Sequence, residues 1–333
     1  MRHISVLNFG DCLGVSGSRL TIRSRDGELF ETSLNRLRSI RIAKNGVSIS
    51  SNLIQACAMR GIRLYFVDWQ GKAIAAVSGA HQHAVVAIRK AQLHTIDSPK
   101  AQEIVRDILV SKITNQRAVL LYFRKYLAHT DPSSAEILTT AADRMRSQIE
   151  LLKTRKIVEG HDWRVIFNGH EGQCAAVYWN ALKDSHLLPT SFCSREGRGS
   201  LEITNAALNY GYTILQSYVW SVLDNAGFEL YAGLLHADRP GKPALVLDFM
   251  EEYRAWVVDR NIIKMRQRLD GKKELDKELK SKIIAVIDGT VATAFPYRQK
   301  KVRLENIMQR QAYRLAACMI DVHKTYRGMK FRW

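Results

Sequence analysis

Hydrophobic and polar residues alternate in short runs through the first quarter of the chain. The runs RHISVLNFG, SRLTIRSRDGELFETSL, LRSIRIAKNG and GIRLYFVDWQGKAIAAVSG are broken by glycines, and this period of two predicts β-strands. The segment SSNLIQACAMRG has helical spacing instead, with Ser50 or Ser51 as the expected N-cap and Gly61 as the expected stop. We therefore predict a small β domain over residues 1–85 that contains one helix.

The hydrophobic period changes after about residue 98. Apolar residues then recur three and four positions apart in segments such as AQEIVRDILVSKITNQRAVLLYFRKYL and ENIMQRQAYRLAACMIDVHKTY, which predicts five or more long helices packed as a bundle. Pro99 is expected to begin the first of them, and residues 86–98 are expected to be a linker. The predicted fold class is α+β, with a larger all-α domain over residues 99–333.

A strong excess of positive charge narrows the class of partner. The chain has 50 Lys and Arg against 32 Asp and Glu, a formal charge of +18, so nucleic acid is the first expected partner and an anionic membrane the second. No window has about 18 uninterrupted apolar residues, which argues against a membrane span. Five scattered cysteines without a CxxC pair fit a reducing cytoplasm.

The basic residues are densest between residues 260 and 282, where nine Lys or Arg stand against four Asp or Glu. This surplus of one sign favours phosphate contact, and we expect DNA binding that weakens steeply as salt concentration rises. A solvated helix face with i,i+4 ion pairs is the alternative.

Three acids and one histidine stand close together in the segment GLLHADRPGKPALVLDFMEEYR. In a helix that starts near residue 245, Asp248, Glu251 and Glu252 occupy positions i, i+3 and i+4 on one face. Because their like charges repel one another, we expect a positive charge nearby. It is supplied either by Lys or Arg side chains or by a divalent cation with His236 as a nitrogen ligand. Taken singly, a solvated acidic face and a turn histidine are the simpler interpretations.

A further acid, Glu171, precedes the apolar segment CAAVYWNAL. We expect it in the first turn of a helix or just before that turn, where it either caps the helix N-terminus or binds a cation. Capping is the commoner role of an acid in that position. Only together do Glu171, His236 and the acids of DFMEEYR favour a site.

Three segments resemble the CRISPR-associated protein Cas1, a family of spacer-acquisition integrases. They are VSISSNLIQACAMRGIRLYFVDWQG, EGQCAAVYW and NAALNYGYTILQSYVWSVLDNAGFELYAGLLHADRPGKPALVLDFMEEYR. The resemblance spans nearly the whole chain, and the order of β domain and helical domain agrees. Two departures affect loops: no proline lies between Pro189 and Asn205, and Ala255 follows Arg254 where the family often has proline.

The resemblance implies a metal centre held by Glu171, His236 and Glu251, with Asp248 as a supporting ligand or proton handler. It implies Mg²⁺ or Mn²⁺ as the cofactor, the two carboxylates and one imidazole being ligands that these ions accept. The helix geometry then turns Glu252 away from the site, toward solvent or a basic partner.

The implied reaction is attack of a DNA 3′-hydroxyl on a phosphodiester, which inserts foreign double-stranded DNA fragments into a repeat array as new spacers. Arg239, Lys242 and Arg254 flank the proposed ligands in sequence, so we expect them near the phosphates. For Arg254, an ion pair with Glu251 or Glu252 is an equal alternative.

The resemblance also implies partners: a homodimer formed through the N-terminal domain, and two such dimers flanking a Cas2 dimer in a heterohexamer. Two other functions stay open. One is a transposon-borne Cas1-like integrase that acts without Cas2, and the other is a basic DNA-binding protein whose acids are structural.

Overall fold

The chain forms two compact units, Met1–His83 and Ala84–Trp333. The computed structural model describes residues 2–68, 73–77, 79, 85–155, 162–197, 199–321 and 323–331. The boundary between the units lies two residues before the end that the hydrophobic pattern predicts for the β domain. Each unit has its own hydrophobic core.

The first unit contains two four-stranded sheets, as its alternating runs predict. One sheet has the order β1-β5-β7-β8 and the other the order β4-β3-β2-β6. The pairs β1–β5, β5–β7 and β2–β6 are parallel, and the other pairs are antiparallel. The strands are β1 Arg2–Val6, β2 Cys12–Ser16, β3 Arg19–Arg23, β4 Leu29–Ser33, β5 Leu37–Ile42, β6 Ser48–Ile49, β7 Arg63–Val67 and β8 Ala73–Val77.

One helix, α1 (Ser51–Met59), interrupts these strands, and both of its predicted end signals are present. The hydroxyl of Ser50 accepts a hydrogen bond of 3.2 Å from the backbone N–H of Leu53, which identifies Ser50 as the N-cap. Gly61 follows the helix with a φ of +67°, a conformation that favours glycine.

The second unit is mainly helical, and six of its described helices have 16 or more residues. Their apolar faces meet in one core, as the period of three to four predicts. None of the described helices is long and apolar enough to cross a membrane. The helices are α2 Val85–Ile96, α3 Pro99–Leu127, α4 Pro132–Thr154, α5 Trp163–Asp184, α6 Ile203–Asn225, α7 Ala244–Arg254, α8 Arg260–Lys264, α9 Arg266–Leu269, α10 Lys277–Ala292 and α11 Leu304–Ile320.

The prediction of a linker over residues 86–98 was wrong, because most of this segment is helix α2. The polar residue Gln92 is fully buried: its Nε2 donates to the carbonyls of Glu229 and Ala232, both at 2.8 Å, and its Oε1 accepts from the N–H of Glu229. A buried polar residue weakens the apolar period from which the helix could have been predicted. Pro99 begins α3 as expected, after the N-cap Ser98.

The prediction of an all-α second unit missed a hairpin formed by β9 (Ala294–Tyr297) and β10 (Lys300–Arg303). The two turn residues, Arg298 and Gln299, have φ values of +48° and +65°. Such turns normally contain Asn or Gly, so the basic segment YRQKKVR gives no sequence signal for a hairpin.

The C-terminal segment packs into the helical core instead of trailing from it. Tyr326, Met329 and Phe331 are buried. The side-chain amide of Asn115 on α3 donates to the carbonyls of Met329 (2.8 Å) and Glu252 (2.7 Å), and its oxygen accepts from the N–H of Phe331 (2.9 Å). Residues 326–331 are therefore fixed against α3 and α7.

Candidate functional site

Glu171 lies in the interior of α5, so the prediction that it occupies a first turn was wrong. The helix begins at Trp163, and the side chain of Asp162 caps it by accepting a hydrogen bond of 2.9 Å from the N–H of Arg164. Glu171 is about two turns further on. Because another residue caps the helix, the capping role proposed for Glu171 is excluded.

A lysine on α3 forms ion pairs with two acids of the candidate site that are far apart in the sequence. The ammonium of Lys112 forms an ion pair of 2.6 Å with Oε2 of Glu251, and a second ion pair with Oε1 of Glu171. The side chains of Lys112 and Glu251 are 9% and 1% exposed. Burial alone would lower the pKa of Lys112, but the charges of Glu251 and Glu171 outweigh it and raise that pKa. The lysine therefore carries a positive charge between two carboxylates.

Glu251 is also paired with Arg254, one turn further along α7. The guanidinium NH1 lies 2.8 Å from Oε1 of Glu251, so the ion-pair alternative for Arg254 is the one that the structure contains. Burial would raise the pKa of Glu251, but Arg254, Lys112 and then His236 lower it below its usual value. Glu251 is thus ionised although it is buried.

Asp248 holds the loop that carries His236. Its Oδ2 accepts hydrogen bonds from the N–H groups of Leu234 (2.6 Å) and Leu235 (3.0 Å), and its Oδ1 accepts one from the N–H of His236 (3.1 Å). The same Oδ1 lies 2.5 Å from Nδ1 of the His236 ring. These four contacts occupy a carboxylate that is 1% exposed, which suits a residue that orients the histidine rather than one that binds a cation directly.

The position of Asp248 determines which ring nitrogen of His236 is free to bind a ligand. With Nδ1 donating to the carboxylate, the lone pair of a neutral imidazole lies on Nε2. Nε2 makes no hydrogen bond to any residue that the structure describes, and the side chain is one-quarter exposed. His236 therefore presents Nε2 as a free nitrogen ligand.

Gly233 allows this loop to approach Asp248 closely. A Cβ atom at this position would lie 2.6 Å from Cβ of Ala244, 2.8 Å from the carbonyl oxygen of His236 and 3.1 Å from Oδ2 of Asp248. Only glycine fits there without a shift of the backbone.

Glu252 does not face solvent or a basic partner, so its predicted position was wrong. It is fully buried, its Oε1 accepts from the hydroxyl of Tyr326 (2.5 Å), and its Oε2 accepts from the N–H of Met329 (2.7 Å). Burial raises the pKa of Glu252 to about 7. This carboxyl anchors the C-terminal segment, which the charge pattern of DFMEEYR alone does not indicate.

Sequence reasoning also missed a buried aromatic network beside Arg254. The hydroxyls of Tyr212 and Tyr178 donate to the two oxygens of Asp259, at 2.5 and 3.2 Å. The guanidiniums of Arg254 and Arg195 lie 5.1 and 5.3 Å from the centre of the Tyr212 ring. The network limits the positions that Arg254, and through it Glu251, can adopt.

Lys112 was not among the predicted site residues, although the sequence contains a signal for its role. On α3 it follows Val105 and Leu109 at helical spacing and precedes Gln116, and all four side chains are buried. A lysine on the apolar stripe of a long helix needs a buried acid as a partner, because burying an unpaired charge is costly.

The donor set fits a hard divalent cation. The carboxyl groups of Glu171 and Glu251 converge on one positive charge, and His236 is close enough to Glu251 to affect its pKa. In this arrangement the cation between them is the ammonium of Lys112, and no three His, Cys, Asp or Glu residues within the described ranges are grouped as a metal site. A metal ion could bind the same oxygens after that ammonium moves aside.

The proposed phosphate-binding residues Arg239 and Lys242 lie in the turn between His236 and α7. The N–H of Lys242 donates to the carbonyl of Arg239 at 3.0 Å, which closes the turn. The side chain of Arg239 is exposed and that of Lys242 is partly exposed. Both are thus accessible to a polyanion.

The family model described as CRISPR associated protein Cas1 matches residues 4–285. A protein named CRISPR-associated endonuclease Cas1 1, from Francisella tularensis subsp. novicida, is 41% identical over all 333 residues and the full length of both chains. The chain belongs to the Cas1 family. The resemblance predicted from the three segments is confirmed.

Two solved structures share the fold of this chain. A casposase bound to integration product matches with a TM-score of 0.79 at 19% identity, over 98% of this chain and 93% of that chain. A Cas6-RT-Cas1–Cas2 complex matches with a TM-score of 0.74 at 21% identity, over 99% of this chain and 36% of that one. The predicted α+β fold class is confirmed.

The structure describes the backbone around both departures from the Cas1 family pattern. At Ala255, α7 continues into a π-helical turn, Ala255–Asp259, and then into α8. The loop before α6 is held by Arg195, which donates to the side chains of Asn205 and Asn209 at 2.9 and 2.6 Å. Neither departure displaces a proposed ligand.

Proposed function

We propose that this Cas1-family protein is a metal-dependent DNA integrase and endonuclease of CRISPR adaptation. One observation carries the proposal: Glu171 of α5 and Glu251 of α7, which are 80 residues apart, direct their carboxylates at one buried positive charge. Next to them, Asp248 fixes the ring of His236 with Nε2 free. Titratable groups clustered around a buried ion pair are typical of a catalytic site.

Glu171, Glu251 and Nε2 of His236 would hold Mg²⁺ or Mn²⁺. When bound, such an ion polarises a phosphodiester and stabilises charge on the attacking and leaving oxygens. The protein's own residues supply the rest of the site. Asp248 orients the imidazole through Nδ1, Arg254 fixes the carboxylate of Glu251, and Lys112 forms ion pairs with both carboxylates before the ion binds.

The identity of the nucleophile decides between the two activities of this site. If water attacks the phosphodiester, a strand is cut and the protein is an endonuclease. If a DNA 3′-hydroxyl attacks, one phosphodiester bond forms as another breaks, so strands are joined without an external energy source. We propose the second reaction as the biological one, with Arg239 and Lys242 contacting the phosphates of the double-stranded DNA.

The proposed partners follow from relatives of the chain. One matched structure contains Cas1 together with Cas2, and the matched casposase is bound to integration product. We propose that this protein forms homodimers and assembles with a Cas2 dimer into a heterohexamer. All five cysteines are free, which fits the proposed location in a reducing cytoplasm.

The decisive test is integration of a short DNA duplex into supercoiled plasmid that carries the repeat. Strand joining in Mg²⁺ or Mn²⁺ that requires Cas2 supports the proposed function. Joining that proceeds equally without Cas2 points to the transposon-borne alternative. DNA binding without any cutting or joining in either metal contradicts the proposal and leaves a non-catalytic DNA-binding protein.

A further inference from the structure

A basic cavity lies in the helical unit, between the β9–β10 hairpin, α11 and the C-terminal segment. Its volume is about 500 Å³, which is within the range of ~300–1,000 Å³ usual for ligand sites. The proposed reaction uses none of its residues. Six of them matter here: the cations Arg298, Arg314, Arg327 and Lys330, and the aromatic residues Phe295 and Tyr297.

All of the charged residues that line this cavity are positive. No Asp or Glu is among its lining residues. Within the described ranges, none of its four cations forms an ion pair with a carboxylate. Three acids outside the lining, Asp107, Glu150 and Glu252, interact with Arg327, Lys330 or Arg314 only through longer-range electrostatics. The cavity therefore retains a net positive charge and attracts an anion.

Buried polar contacts hold the walls in place. The side chain of Gln311 is 1% exposed; its Oε1 accepts from NH1 of Arg314 and its Nε2 donates to the carbonyl of Arg327, both at 3.0 Å. The N–H of Met329 donates to Glu252, which fixes the wall formed by the C-terminal segment. A ligand would therefore meet a largely preformed site.

Aromatic rings beside these cations define the chemistry of the ligand. Nucleic-acid strands bind where cations contact phosphates and aromatic side chains stack on unpaired bases. Phe295 and Tyr297 are partly exposed on the hairpin, next to Arg298 at its turn. Both rings also pack against the helical core, but a bare inorganic anion would leave their exposed faces without a contact, and a base pair within a duplex has no free face to stack on them.

We propose that this cavity binds a short single strand of nucleic acid, with its phosphates on Arg298 and Arg327 and a base stacked on Tyr297. The proposal rests on the proposed function in that the strand would belong to the DNA that the enzyme processes. Two consecutive residues of α7 contribute to the candidate metal site and to the cavity. Glu251 forms an ion pair with Lys112 in the metal site, and Glu252 accepts a hydrogen bond from Met329 in the wall of the cavity.

Binding of labelled hexathymidylate by the full-length protein tests the proposal. Arg298→Gln/Arg327→Gln should weaken it by about tenfold or more and reduce the slope of log affinity against log salt by about 1.4, that is, about 0.7 for each of two phosphates. Tyr297→Leu should weaken it at least about fivefold. The control Arg124→Gln/Lys125→Gln removes the same charge from an exposed end of α3 and should change binding less than about twofold.

Three results would overturn the proposal: equal losses in the cavity variant and the control, equal losses for a duplex of the same length, or displacement of hexathymidylate by inorganic phosphate at equal affinity. Hexauridylate in a parallel titration distinguishes an RNA strand from a DNA strand. Melting temperatures of the variants exclude misfolding. If the wild-type protein joins strands but does not bind hexathymidylate, only the proposed role of the cavity is contradicted. If it binds hexathymidylate but neither cuts nor joins DNA, only the proposed function is contradicted.

Discussion

Glu251 and Glu252 are consecutive on α7, yet their carboxyls bind different parts of the molecule. Glu251 pairs with Lys112 and Arg254, whereas Glu252 accepts hydrogen bonds from Tyr326 and from the backbone of Met329. Neighbours on a helix differ by about 100° in direction, and here both directions lead into the protein. The two acids therefore give separable predictions, one for catalysis and one for stability.

The Glu252 carboxyl should make the protein less stable as pH rises. Its pKa is about 7 in the folded protein, against about 4.3 for an unperturbed glutamate. Between these values the folded state holds a proton that the unfolded state has lost, so stability falls across this window and the loss is complete above pH 7. Urea unfolding at pH 5 and pH 8 should show a smaller fall for Glu252→Gln than for wild type, and an equal fall would contradict the assignment.

Lys112 should stabilise the metal-free protein and compete with metal binding. Lys112→Met removes the cation between Glu171 and Glu251 and leaves Arg254 as the ion-pair partner of Glu251 alone, so the free energy of unfolding in EDTA should fall, by up to about 3–5 kcal/mol. Excess MnCl₂ should then raise the melting temperature more in the variant than in wild type, because no ammonium has to move. Lys125→Met, on the exposed end of the same helix, is the control, and an equal response to MnCl₂ in all three proteins would rule out competition.

Asp248 should act by positioning His236. Asp248→Asn replaces an acceptor with an amide next to the N–H groups of Leu234 and Leu235, so the loop that carries His236 should shift. Mn²⁺ affinity and strand joining should both fall about 10–100-fold, as is usual when a carboxylate behind a ligating histidine is changed. Isothermal titration with Mn²⁺ measures the first effect, and unchanged affinity would show that Asp248 supports only the fold.

Two glycines near the site should respond oppositely to alanine. Gly233→Ala places a methyl group within 2.8 Å of the backbone oxygen of His236 and should cost about 1–3 kcal/mol of stability. Gly172, next to Glu171 within α5, has no atom within 4 Å of the point that a Cβ would occupy, so Gly172→Ala should stabilise the helix by about 0.5–1 kcal/mol. Thermal unfolding of both variants is the measurement, and a stable Gly233→Ala would contradict the close packing of the loop.

Much of the architecture could be predicted from local patterns, because periods of two and of three to four report directly on strands and helices. The β domain, α1 with its Ser50 cap, and the start of α3 at Pro99 all follow from such signals. Helix α2 was missed because the buried Gln92 interrupts its apolar face. The hairpin was missed because Arg298 and Gln299 are unusual residues for its turn.

Long-range contacts account for the errors at the site. Glu171 was placed too close to a helix start because the upstream segment WRVIF continues α5 past two glycines. The charge of Glu252 predicted exposure, but Tyr326 and Met329, more than 70 residues away, satisfy its carboxyl inside the core. The position of Lys112 on the apolar stripe of α3 indicates a buried acidic partner, but the identity of that partner depends on acids from two other helices, which no local pattern reports.

The most direct test of the central claim compares Glu251→Gln with Glu252→Gln in the plasmid-joining assay. Both substitutions keep side-chain size and remove one carboxylate, and they differ by one position on α7. With Mg²⁺ or Mn²⁺, we expect Glu251→Gln to lose strand joining while it still binds DNA, as we also expect of Glu171→Gln and His236→Ala. Glu252→Gln should retain activity close to wild type. Full joining by Glu251→Gln together with an inactive, folded Glu252→Gln would contradict the assignment of Glu251 as the metal ligand.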